Sequence, residues 1–180
     1  ICTCLVGSEM CIRDSNNPRE DRLLSWDFTI ESGEFSVGPA TVLGNPTLYQ
    51  VESIQADKHY QTLLVAEEMK EHHKVMALDL MTGEVIKEDL GNFDRGDDPE
   101  GIALVINKDN NGYWICTEQS KTDNRFHLYD RKTLEYKTTM YLENVSYTDG
   151  IATAYMHGKW YLYAVDNDAR VVAFELPEIN

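Results

Sequence analysis

The chain has 180 residues, 31 of them Asp or Glu against 16 Lys or Arg, for a formal charge of −15. That balance argues against a nucleic-acid backbone or an anionic membrane surface as partner, because both attract clustered cations. No run reaches the ~18 apolar residues of a membrane-spanning helix, so no membrane association is expected.

Residues 1–15 stand apart from the rest. Leu5–Ser15 reads LVGSEMCIRDS and resembles a frame translation of a transposase-type sequencing adapter. We set 1–15 aside as a non-native leader and expect a partial domain over 16–180, from an assembled environmental read, with the native start and any signal peptide lost. Cys2, Cys4 and Cys11 go with the leader. Cys116 then remains on an apolar strand, where a thiol behaves as a small buried hydrophobe, and no disulfide framework is expected.

In chain order, Asp21–Phe28 reads as a late strand of an early sheet, with Glu34–Gly38 as its outer partner. A plan then appears three times. The opening strands are Val51–Ile54, Pro99–Ile102 and Thr148–Ile151. The second strands are Leu63–Glu68, Tyr113–Glu118 and Tyr161–Asp166. The third strands are Val75–Leu80, Arg125–Asp130 and Val171–Leu176. More polar outer strands follow at Glu84–Glu88 and Tyr136–Leu142, after the turns Met81–Glu84 and Arg131–Glu135. Each register recurs about every 45–50 residues, the period of β-propeller blades. The fold class is therefore all-β: a β-propeller fragment of about three four-stranded antiparallel blades plus a remnant of a fourth. Three blades do not close a ring, so two blade faces are expected to stay open. Tyr113, Trp114, Tyr161 and Tyr163 are expected to pack between blades.

The middle repeat carries the most distinctive chemistry. Asp98 and Glu100 open its first strand, Asn107–Gly112 is a turn rich in residues that tolerate positive φ, and Glu118–Gln119 closes its second strand. In an antiparallel pair these ends share one sheet edge. Residues two apart in a strand face the same way, so Asp98 and Glu100 can enter one site, and Glu52 and Asp149 hold the equivalent place in the flanking repeats. Burying acids is costly unless something pairs them. An all-oxygen set without His or Cys favours a hard cation, calcium above zinc.

The series VESIQAD, LLVAEE, DPEGIAL, GYWICTEQ, HLYDRKT and TDGIA resembles, in order and spacing, the C-terminal half of the β-propeller phytases over about residues 50–166. D-x-E-G and T-D-G-I are its most specific parts. The resemblance implies a six-bladed parent that uses several Ca²⁺ ions to hydrolyse phytate (myo-inositol hexakisphosphate) or a related phosphate ester by metal-activated water attack, with no covalent nucleophile. It places the metal and catalytic acids on Glu52, Glu68, Asp98, Glu100 and Asp149, and an amide metal ligand on Gln119. It further implies a secreted or periplasmic protein, monomeric at full length, of the 3-phytase type. Ser53 departs from the family's glycine after Glu52, and the loop Glu143–Thr148 is short by one acid-bearing turn, which Glu143 could replace. The family's phosphate-gripping lysines and arginine fall outside the matched segments, so this fragment is expected to be inactive alone.

Two other readings use the same fold. One is a non-catalytic, calcium-stabilised propeller that serves as a binding scaffold; the other is a lactonase-type propeller, for which Asn167 is a poor channel ligand. His72 and His73 are adjacent in a loop, and neighbours in extended backbone point apart, so no joint metal site is expected there. His127 reads as a surface strand residue and His157 as a turn residue. No Ser-His-Asp arrangement or nucleotide-binding glycine motif has footing. Asn144–Ser146 is a formal glycosylation sequon.

Overall fold

A computed structural model describes residues 2–5, 22–44, 46–93, 97–122 and 124–177. It is all-β, in four antiparallel sheets. The first comprises β1 (Cys2–Leu5), β2 (Leu24–Glu31), β3 (Glu34–Val37) and β4 (Thr41–Val42). The second runs β5 (Val51–Asp57), β6 (Thr62–Glu67), β7 (Lys74–Asp79) and β8 (Val85–Lys87). The third runs β9 (Asp98–Ile106), β10 (Gly112–Gln119), β11 (Arg125–Asp130) and β12 (Tyr136–Tyr141). The fourth has three strands among the described residues, β13 (Ile151–Met156), β14 (Lys159–Asp166) and β15 (Arg170–Glu175). The last three sheets are sequential meanders, each strand pairing with the next, as the repeat predicts. Within the stretch set apart by sequence, Cys2–Leu5 pairs with Ser25–Phe28, while residues 6–15 lie outside the described residues.

Alternation along the strands builds the core between sheets rather than beneath one. Leu64, Ala66, Val75 and Ala77 of the second sheet meet Ile102, Trp114, Cys116 and Tyr129 of the third. The opposite face of the third sheet, with Val105, Tyr113, Ile115, Phe126 and Leu128, meets Leu162, Ala164 and Leu176. Leu63, Val65, Met76 and Leu78 close against Leu23, Leu43 and Leu48. Each fully buried large side chain contributes about 1.5–3 kcal/mol. Cys116 is fully buried and its thiol is pushed up by that burial, in keeping with an inert apolar role. Tyr113 and Trp114 pack between sheets, but Tyr161 and Tyr163 are only half-buried, because the face of β14 opposite Leu162 has no sheet against it among the described residues. Exposed Ile30 and Phe35 on the first sheet, and Val171 on the last, mark the two open faces.

Turn chemistry repeats as well. Asp79 Oδ1 accepts the N–H groups of Met81 and Thr82 at 2.9 and 2.8 Å, and Asp130 Oδ1 accepts those of Lys132 and Thr133 at 2.9 Å each. The left-handed residue of these turns is Gly83 in one (φ 70°) and Leu134 in the other (φ 59°). A Cβ on Gly83 would lie 2.5 Å from the Gly44 backbone nitrogen, so glycine is required there twice over. Leu134 accepts the unfavourable backbone because its side chain is buried in the core.

One ion pair ties sheets together. Arg131 donates from Nε and Nη2 to Asp57 at 2.6 and 2.7 Å, and from Nη1 to Asn110 O at 2.6 Å, with its guanidinium over the Tyr60 ring. Both partners are 2% exposed. His127 is also buried, contrary to its surface reading. Its Nε2 lies 2.7 Å from Glu118 Oε2 and its Nδ1 2.8 Å from Thr139 Oγ1. The partner acid one strand away offsets the desolvation that would otherwise keep a histidine outside.

Candidate metal centre

The acids sit at one edge of three successive meanders, two of which share an irregularity there. Val51 pairs with Glu67 and Ser53 with Ala66, which leaves Glu52 as the additional residue of a β-bulge. On β9, Ile102 pairs with Cys116 and Pro99 with Glu118, so Glu100 and Gly101 together face Thr117. In the fourth sheet the pairing is regular, with Ile151 opposite Ala164, and Val165 N–H donates to Gly150 O at 3.0 Å, so Asp149 lies just before the ladder. A bulge bends its strand and re-aims a side chain. Here it presents Glu52 and Glu100 at the same edge of two successive sheets.

Gly101 permits the close approach. A Cβ there would lie 2.8 Å from Ile151 Cγ1 and 2.9 Å from Ile151 N. The equivalent Ser53 has room for a side chain and uses it: its Oγ accepts the Ile102 N–H at 3.2 Å, from the neighbouring sheet. The departure from glycine noted in the sequence is thus a contact between blades.

Glu52, Glu68 and Glu100 each place a carboxylate oxygen within 4.8 Å of the others. Oxygens bound to one calcium ion at about 2.3–2.6 Å can be no more than about 5 Å apart, so this spacing suits a shared ion. Glu100 is the buried member, and its carboxyl is pushed up to about 9. Burial is the largest cause, followed by the charges of Glu52, Glu68, Asp149 and Asp98. Four of the expected acids therefore act on the fifth.

The remaining residues are placed around that group. Asp98 pairs across the strand with Gln119, as the shared-edge argument requires. Its carboxyl is raised by burial, partly countered by His73, whose Nε2 lies 3.1 Å from Asp98 Oδ1. Asp98 thus turns to a histidine rather than into the tight three-acid group. Gln119 Nε2 donates to Asp149 Oδ1. The Asp149 carboxyl is raised by burial first and then by Asp168. All six expected residues line one rim, but Asp98, Gln119 and Asp149 stand outside the closest cluster.

Several residues escaped the sequence reading. Gln50 Nε2 bridges Glu52 Oε1, at 3.1 Å, and Glu68 Oε2. Its signal was the two-residue spacing to Glu52. His72 and His73 do point apart, His72 stacking on Tyr49, but the sequence gives no sign that His73 faces Asp98. Asp168 comes from the β14–β15 turn, where Asn167 and Asp168 both take positive φ. Glu67, Glu118 and Asp166 share one register on the second strands and are structural. Glu67 accepts the N–H groups of Tyr49 and Gln50 at 2.6 Å each, Glu118 holds His127, and Asp166 accepts the Ser146 N–H at 3.0 Å.

The donor set fits a hard divalent cation. It is oxygen-rich, its central acid is buried among like charges, and its amides offer either donor or acceptor atoms. A cation would offset the burial and the like charges that together keep Glu100 protonated.

No helix among the described residues is long and apolar enough to cross a membrane. No curated protein matches the chain. A family model described as Phytase matches residues 33–164, from the edge of β3 into β14 and across all six expected site residues. The chain belongs to the phytase family of phytate-hydrolysing phosphatases.

Proposed function

We propose that this chain carries the metal-binding part of a calcium-dependent phosphomonoester hydrolase whose substrate is phytate or a related phosphate ester. One observation carries the reading: a buried Glu100 surrounded by Glu52, Glu68, Asp98 and Asp149, with Glu52 and Glu100 each presented by a bulge in successive sheets. When bound, calcium supplies positive charge for phosphate oxygens and acidifies water for in-line attack.

The residues of the chain have separable tasks in this scheme. Glu52, Glu68 and Glu100 converge closely enough to hold one ion, and Asp98, Asp149 and Gln119 are the ligands for further ions along the rim. Glu100 holds a proton while the acids are uncompensated and gives it up when they are neutralised, so cation uptake and proton release are coupled. Gln50 fixes Glu52 and Glu68 relative to each other. The reading includes a secreted or periplasmic location, where calcium is plentiful. It also includes inactivity of the 180-residue chain alone, since the family's phosphate-gripping lysines and arginine fall outside its matched segments.

Thermal unfolding with and without millimolar Ca²⁺, beside an Asp98→Ala/Glu100→Ala double variant, tests the assignment. A calcium-dependent rise in midpoint that the variant loses supports it. A folded chain indifferent to calcium overturns it. A chain that binds calcium at these acids, but belongs to a full protein that releases no phosphate from phytate, is instead a calcium-stabilised binding scaffold.

A further inference from the structure

His73 ends the β6–β7 connection, and the chain fixes it from both sides. A turn closes before it, with His72 N–H donating to Met69 O at 2.6 Å, and the His72 ring stacks on Tyr49 with centroids 4.0 Å apart. Lys74, directly after it, pairs with Glu67 in the ladder. The His73 side chain is turned inward, 8% exposed, with Nε2 3.1 Å from Asp98 Oδ1.

That contact is not a hydrogen bond. Neither Nδ1 nor Nε2 of His73 has a hydrogen-bond partner among the described residues, so the Asp98 oxygen lies off the axis along which Nε2 would donate. A buried imidazole normally pairs both nitrogens, because each loses its water on burial. Two donor atoms that lie close without bonding to each other suit a shared cation. An ion about 2.1 Å from each of two atoms 3.1 Å apart holds them at about 95°, close to the right angle between neighbouring ligands of an octahedron. Asp98 is 36% exposed, which leaves room for water to complete the set. Asp97 and Glu52 add their charges at Asp98, against the exposed Lys70.

The donor chemistry differs from that of the three glutamates. Glu52, Glu68 and Glu100 offer oxygen alone, which calcium prefers. An imidazole nitrogen beside a carboxylate is a borderline pair that first-row transition ions accept and calcium seldom does.

We propose that His73 and Asp98 form a separate site for a first-row transition-metal dication beside the calcium group, so that the rim sorts two classes of cation. This rests on the reading of Asp98 as a metal ligand of the rim and goes beyond it in the nitrogen donor and the kind of ion. The site takes one histidine of the His72–His73 pair, the other being held on Tyr49.

The test is Mn²⁺ titration of the full 180-residue chain in millimolar Ca²⁺, followed by electron paramagnetic resonance. Calcium fills the oxygen-only sites, and Mn²⁺ prefers carboxylate and imidazole to the thiols of Cys2, Cys4 and Cys11. Bound Mn²⁺ should show the nitrogen spin-echo modulation of a directly coordinated imidazole. His73→Gln and His73→Leu should both abolish the modulation and weaken Mn²⁺ binding at least about tenfold, the loss usual even for groups that only support a ligand. His72→Gln should change neither, and the calcium-dependent rise in unfolding midpoint should survive in all three variants. The wild-type spectrum decides even where a His73 variant fails to fold: bound Mn²⁺ without nitrogen modulation, or no retained Mn²⁺, overturns the proposal and leaves the calcium reading to its own test. Modulation that persists in His73→Gln overturns it too. Modulation that depends on His73, in a chain whose midpoint ignores calcium, upholds this site and removes the calcium reading.

Discussion

Replacing Glu100 by glutamine probes the centre most directly, because the change keeps the shape of the side chain and removes its charge. The folded state holds the Glu100 proton up to about 9, against an ordinary value of 4.5. A raised carboxyl means that stability is full below 4.5 and declines as pH climbs toward 9, because the unfolded chain ionises first. pH 7 lies two and a half pH units above the ordinary value, and at about 1.4 kcal/mol per unit the wild-type chain without metal has lost about 3 kcal/mol there. In chelator at pH 7, Glu100→Gln should therefore be more stable by that order. For a chain of this size, that corresponds to a midpoint about 6–12 °C higher. The advantage should vanish near pH 4.5. In millimolar calcium it should shrink or reverse, because only the wild type gains the buried ligand. Unfolding followed by circular dichroism from pH 4.5 to 8, with and without calcium, measures all three. A variant that follows the wild type at every pH in chelator, or that calcium stabilises equally, would refute the reasoning.

Further expectations concern the contacts that bring the sheets together. Arg131→Ala leaves Asp57 buried without its bidentate partner and should cost about 3–5 kcal/mol in urea unfolding at pH 7. Burial would raise the Asp57 carboxyl, but hydrogen bonds from Arg131 and the His59 N–H hold it below its ordinary 3.8. The contribution is thus present above that value and lost as pH falls through the folded one, so the gap between variant and wild type should narrow in acid. Gly101→Ala drives a methyl group against Ile151 and should destabilise by about 1–3 kcal/mol, with hydrogen exchange in β13 accelerating before that in β6. His127→Leu removes a partner of the buried Glu118 and should cost about 1–3 kcal/mol. His127→Gln should recover part of that loss; equal loss in both variants would remove the hydrogen bond from the explanation.

Strand order was legible because every repeat uses the same local signals. Apolar alternation marks the second strands, Asp79 and Asp130 cap the turns after the first two third strands, and Gly or Asn marks the reversals. The acids at the opening strands were legible for the same reason: the repeat puts Glu52, Glu100 and Asp149 in one register, and an acid at the start of an apolar strand needs a purpose. The role of His127 was not legible. Alternation gives it the same status as any polar strand residue, and only the neighbouring strand shows that Glu118 waits across the pair. Leu134 is a similar case, since a leucine at positive φ contradicts local preference until its burial is known.

Sequence alone thus determined the class of structure, the order of strands and the oxygen chemistry of the centre, because these depend on periodicity and residue type. Tertiary structure decided how the centre is divided. Side chains 48 residues apart in the repeat meet through the bulges at Glu52 and Glu100 and the Ser53 contact to Ile102, which bring Glu100 to Glu52 and Glu68; the close approach at Gly101 is to Ile151, and Asp98 is left to His73 and Asp149 to Gln119. Which acid is buried is a matter of desolvation and of distances between sheets, and neither quantity is encoded in the spacing of residues along one strand.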